Sequence, residues 1–139
     1  MSYKIISKFI KDISFEIPNA KTFVMLEKDI AKYNLNFDIK SKPFKDNIIE
    51  VSTILRLSAP TELENKILTE INFAALVTIE KNFEDKKELE KIILIDVPSD
   101  IYPTLYETFV FLFAQSGIKN IKIDKEVNFK KLYEEQKKS

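Results

Sequence analysis

The sequence predicts an α+β domain: a four-stranded antiparallel sheet followed by C-terminal helices. Three observations carry this prediction. Four segments between Tyr3 and Glu80 alternate apolar and polar residues with period two, the pattern of half-buried strands. Beyond residue 85 the period becomes helical, with apolar residues at i, i+3, i+4 and i+7. Strands first and helices last is the α+β order. The 139 residues suit a single domain, 1–139, without linkers or repeats. The Lys-rich end, 134–139, is expected to fray.

The first strand spans Tyr3 to Ile17. Ile5, Phe9, Ile13, Phe15 and Ile17 form one face, and Lys4, Lys8, Asp12, Ser14 and Glu16 the other. Pro18-Asn19 stops it. Residues 20–33 are compatible with a loop or a short helical turn. In the second strand Tyr33, Leu35, Phe37 and Ile39 alternate with Asn34, Asn36, Asp38 and Lys40. Ser41-Lys42-Pro43 and Asp46-Asn47 mark the connection that follows. The third strand, Ile48 to Ser58, directs Ile49, Val51, Thr53, Leu55 and Leu57 inward. The fourth, Ile67 to Glu80, places Ile71, Phe73, Ala75, Val77 and Ile79 on one face and Leu68, Glu70, Asn72 and Thr78 on the other. Such alternation describes a sheet with one wet face.

Asp85 and Glu88 have capping-box spacing ahead of Leu89, Ile92 and Ile93, so a short helix is expected, ending before Pro98. Residues 101–116 make the strongest helix, with the stripe Tyr102, Leu105, Tyr106, Phe109, Leu112 and Phe113. Val110, Phe111 and Ala114 widen the apolar surface beyond one stripe. One side can lie on the sheet, and the other calls for a second chain. The expected oligomer interface is Tyr106, Phe109, Val110, Phe111 and Phe113, although packing within one subunit is a competing account. Gly117, the sole glycine, stands where a helix end needs left-handed backbone. Asn128 can cap a last helix, Phe129 to about Lys138.

Composition excludes much chemistry. Without Cys or His there are no disulfides, no thiolate or imidazole ligands and no nucleophile–imidazole pairs. One glycine cannot build a phosphate-binding loop. Carboxylate pairs such as Glu84-Asp85 and Glu134-Glu135 read as solvated faces, with no metal-ligand spacing. No enzyme activity, cofactor or metal is therefore expected. Lys+Arg and Asp+Glu are both 22, a balance unsuited to neutralising nucleic-acid phosphates. Apolar runs around Ile71–Val77 and Phe109–Ala114 fall far short of the ~20 residues that span a bilayer. The start, MSYKIISKFIKD, lacks a signal-peptide core, so a cytoplasmic location without membrane insertion is expected. The 11 Phe and 5 Tyr make a Phe-rich core the default and an apolar binding surface the sharper reading.

FIKDISFEIPNA (Phe9–Ala20) resembles the opening strand of the SecB export-chaperone family. IIEVSTILRL, LTEINFAALVTI, and VPSDIYPTLYETFVFLFAQSG followed by VNFKKLYEEQ are similar in the same order. The resemblance is weakest at 20–34 and 81–96. It departs in neutral net charge, in Ala74-Ala75 where the family has a Gly pair, in Glu126 where a Pro is common, and in the Lys-rich tail. It implies a dimer of dimers that holds unfolded precursor polypeptides without ATP, metal or cofactor and hands them to the SecA motor. Asp12, Glu16, Leu68 and Glu70 match the family's motor-binding positions. A client groove is expected between sheet and helices, lined by Leu35, Phe37, Ile39, Phe44, Phe129, Leu132 and Tyr133, though periodicity does not separate groove from core. A chaperone dedicated to a toxin–antitoxin pair or another single client is the alternative, and a purely structural oligomer is a third.

Overall fold

The computed structural model describes residues 3–80, 85–118, 121 and 123–138. Its elements are β1 (Tyr3–Glu16), α1 (Ala20–Asp29), β2 (Asn34–Lys45), β3 (Ile48–Ser58), β4 (Leu68–Ile79), α2 (Lys86–Lys91), α3 (Val97–Gln115) and α4 (Phe129–Lys138). The four strands form one antiparallel sheet in the order β1-β4-β3-β2. The second to fourth strands are a meander, and the first strand returns to pair with the last. β2 extends past the expected connection and closes a tight hairpin at Asp46-Asn47. Asp46 takes φ 45°, a left-handed conformation that Asp tolerates better than most residues. Pro43 fits inside β2 because an edge strand need not donate on both sides.

β1 departs from simple alternation. Register shifts fall between Ile5 and Ser7 and between Ile10 and Asp12. Each inserts a residue and reverses the phase of the strand. Phe9 therefore pairs with Ala74 on the outer face instead of joining Ile5 and Ile13 inside. Lys8 moves inward, opposite Ala75. Lys11 bulges out and reaches across β4 to donate to Glu50 on β3 at 2.8 Å. Ala74, fully buried, is small enough to lie beneath that crossing.

Asn19 does not merely end β1; it caps α1. Its Oδ1 accepts from the Thr22 amide and hydroxyl, each at 2.8 Å. Asp85 caps α2 in the same way, accepting from the Glu88 amide at 3.1 Å. The expected break before Pro98 is absent. α2 passes through a π-helical turn, Ile92–Asp96, directly into α3. The wider π turn opens the backbone where the Pro98 ring would meet the Leu94 carbonyl. Pro103 is exposed, as is Ser99, whose carbonyl it leaves without a helical partner, so water can serve that carbonyl. α3 ends in a Schellman motif. Gly117, at φ 88°, donates to Ala114, and Ile118 donates to Phe113. α4 spans Phe129–Lys138, the extent expected of the last helix; Ser139 lies outside the described residues.

The core lies between the sheet's inner face and α3. Val51, Leu55, Ile71, Ala75, Val77 and Ile79 meet Ile101, Leu105, Phe109 and Phe113, all at most 1% exposed. Phe15 meets Phe113 edge-on at 5.2 Å, tying β1 to the helix. Leu105→Ala is expected to lower stability by about 2–5 kcal/mol, read by chemical denaturation. Thr53 is buried in this layer with no partner for its hydroxyl among the described residues. Thr53→Val, of nearly equal shape, should raise stability by about 1 kcal/mol in the same measurement.

Candidate functional site

A discontinuous apolar channel follows the inner side of the β2 edge. At one end Phe37, Ile39, Leu94, Phe129, Leu132 and Tyr133 surround a cavity of about 80 Å³. Next along β2, Leu35, Leu57, Tyr33, Ile30, Phe109, Ile121 and Ile123 line another of about 170 Å³. Ile30 and Ile121 also border a third, about 560 Å³, together with Phe23, Val24, Leu26 and Ile118. The structure thus brings Phe37, Ile39, Phe129, Leu132 and Tyr133 to one cavity and Leu35 to the next along β2. Phe129 is the channel's floor as well as core. It is 2% exposed and packs edge-on against Phe37 at 5.2 Å and Tyr102 at 6.0 Å.

Phe44 does not join them. The register shift between Pro43 and Lys45 bulges it out near the hairpin tip, where it is 58% exposed. The largest cavity was not anticipated. Its residues come from α1 and from the segment after Gly117. The signal was present: Asn19 is a good cap, and Phe23, Leu26 and Ile30 recur at i, i+3 and i+7. Phe23 and Val24 are 41% and 72% exposed, an apolar rim open to solvent.

Two tyrosines pin the helical wall of the channel. Tyr133 on α4 donates to Glu90 Oε1 at 2.8 Å. Tyr102 donates to the Asp124 carbonyl at 2.6 Å, fixing the connection between α3 and α4. Burial, with the nearby Asp124 carboxylate and Tyr106, pushes the Tyr102 phenol from 10.0 up to about 12.

On the opposite, outer face the strand register gathers Asp12, Glu16, Leu68 and Glu70. Asp12 pairs with Asn72, Ser14 with Glu70, and Glu16 with Leu68. Leu68 is 49% exposed amid these carboxylates. Arg56 on β3 lies opposite Glu70 and donates from Nε to its Oε1 at 2.8 Å. The expected oligomer residues divide. Phe109 and Phe113 stack at 4.6 Å inside the core and have no surface left for a second chain. Tyr106 and Val110 are half-buried, and Phe111 is exposed. Ile6, Ile10 and Ile13 of β1 add further exposed apolar surface. Among the described residues no acidic cluster could hold a metal ion, and no helix is long and apolar enough to cross a membrane.

The raised Tyr102 pKa fixes a sign. Its stabilising contribution is complete below pH 10 and is lost as pH rises towards about 12. Tyr102→Phe should flatten that alkaline loss in a pH series of thermal melts, while also loosening the Asp124 tether.

The family model described as preprotein translocase subunit SecB matches residues 1–139. A relative from Pelagibacter ubique, also named SecB, is 46% identical over 97% of this chain and 96% of its own. The protein-export protein SecB of Anaplasma phagocytophilum is 26% identical over 93% of this chain and 89% of its own. Among solved structures, a Mycobacterium tuberculosis SecB-like chaperone, in complex with a ChAD peptide from the HigA1 antitoxin, has the same fold. It superposes with a TM-score of 0.67 at 15% identity, covering 90% of this chain and 88% of that one. With the strand order, the helical cover and the whole-chain family match in agreement, this chain belongs to the SecB family.

Proposed function

We propose that this chain is an ATP-independent holdase that keeps precursor polypeptides unfolded in the channel beside β2 and delivers them to the SecA translocation motor. The observation that carries the reading is the channel itself. Two of its cavities lie along the β2 edge and the third continues beyond them between α1 and Ile118, so an extended chain can lay successive apolar side chains into them. Burial there contributes roughly 25 cal/mol per Å² whatever the sequence. Pairing with the β2 backbone adds affinity that no side chain dictates. Both terms favour any unfolded segment and neither requires nucleotide-driven release.

The patch of Asp12, Glu16, Leu68 and Glu70 is the proposed motor dock. It lies on the face of the sheet away from the channel, so client and motor need not compete for one surface. Assembly as a dimer of dimers is supported by the free β1 edge, its exposed Ile6, Ile10 and Ile13, and Phe111 on α3. The working location in this reading is the cytoplasm. The mycobacterial complex with an antitoxin peptide favours a second reading, service to one dedicated client. Client range separates the two: pull-downs from unfolded extracts yield many chains for an export chaperone and one for a dedicated partner.

Val24→Asp places a charge on the open rim of the largest cavity. It should weaken capture of a reduced, unfolded client about tenfold with little change in melting temperature, because Val24 is 72% exposed. Unchanged capture would move the client site elsewhere. Glu70→Lys should weaken SecA binding, most strongly at low salt. Light scattering at micromolar concentration should give the mass of four chains; a strict monomer refutes the assembly.

A further inference from the structure

The outer-face patch carries its own cation. Arg56 stands directly across from Glu70 in the β3–β4 register. Its Nε donates to Glu70 Oε1 at 2.8 Å, and Nη2 donates to the same oxygen. Glu70 Oε2 takes part in neither bond. The two side chains are 45% and 32% exposed, so water and an incoming partner can reach both. Two other outer-face cations are held by a different carboxylate. Lys11 lies 2.8 Å from Glu50 and Lys42 lies 3.9 Å from it. Arg56 is thus the cation that the structure holds on the acidic patch, at the carboxylate beside the exposed Leu68.

We propose that Arg56 is an internal competitor that sets the strength and salt sensitivity of docking at this patch. The inference rests on the reading of Asp12, Glu16, Leu68 and Glu70 as the motor dock. A cationic group of the partner gains Glu70 only by sharing or displacing a guanidinium already bound there. Exposed pairs of this kind are weak, so displacement is feasible, but it subtracts from every docking event. The remaining carboxylates, Asp12 and Glu16, are exposed on β1 and attract the partner without that opposition. The patch is thus weaker than its acidic residues alone suggest, which suits a contact that must release after delivery.

The test is SecA binding by calorimetry at low and high salt. Arg56→Gln should bind SecA about fivefold tighter at low salt. That gain should vanish at high salt, where exposed charges are screened. It should also vanish when Glu70→Gln is already present, because the competitor then has nothing to occupy. Arg56→Thr, with a strand-favouring side chain, should repeat the result and separates it from any folding defect. If Glu70→Lys weakens SecA binding but Arg56→Gln leaves it unchanged or weaker, Arg56 is no competitor and the proposal fails. If Glu70→Lys itself has no effect, the docking reading fails, and the role of Arg56 with it.

Discussion

A helix is narrower than a sheet of four strands, and this mismatch organises the molecule. A helix with its side chains is about 10 Å across. Strands lie about 4.8 Å apart, so the outer two of four stand about 14 Å apart between axes. α3 seals the middle of the inner face through Ile101, Leu105, Phe109 and Phe113. Both margins are left over. At the β2 margin the segment after Gly117 and α4 lean against the sheet without closing on it, and the channel is the gap. At the β1 margin Ile10 and Ile13 remain 48% and 37% exposed.

The two faces are held by different forces. The inner face depends on close packing, and its aromatic group Phe37, Tyr102 and Phe129 anchors α4 by a single buried ring. The rest of α4 is bound lightly, with Leu132 and Tyr133 half-buried and a tyrosine–carboxylate hydrogen bond at its side. On the outer face Ala74, Ser52 and Ile54 are buried beneath neighbouring side chains of the sheet itself. That face is organised by charges that cross strands, from Lys11 to Glu50 and from Arg56 to Glu70. Packing makes the inner surface adaptable only where it is incomplete, whereas the ionic surface responds to the medium throughout.

The strands β2, β3 and β4 were legible because each buries one face, so alternation and burial coincide at Val51, Leu55, Ile71 and Val77. β1 was misread at Phe9 because a bulge reverses phase without changing composition, and no residue type signals it. The helix across Pro98 was hidden because local rules treat proline as a stop, while a π turn can absorb it. Most of the channel was legible in the alternation of Leu35, Phe37 and Ile39. α1 went unread although its signal was present, because the unbroken run Phe23-Val24-Met25-Leu26 blurs the helical spacing of Phe23, Leu26 and Ile30. The outer patch became legible through family resemblance; its pairing with Arg56 depends on register, which alternation alone leaves undefined.

The strand order also sets a timetable for synthesis. β2, β3 and β4 are neighbours in sequence, so their pairings close short loops and form quickly. β1 pairs with β4, its Tyr3 standing opposite Ile79. The first strand to leave the ribosome is therefore the last to find a partner. Until β4 has emerged, a segment bearing Ile5, Ile6, Phe9, Ile10 and Ile13 must remain extended and unpaired. The nascent chain thus passes through the same vulnerable condition as an unfolded polypeptide, and its lysines at positions 4, 8 and 11 interrupt the apolar run that would otherwise promote aggregation.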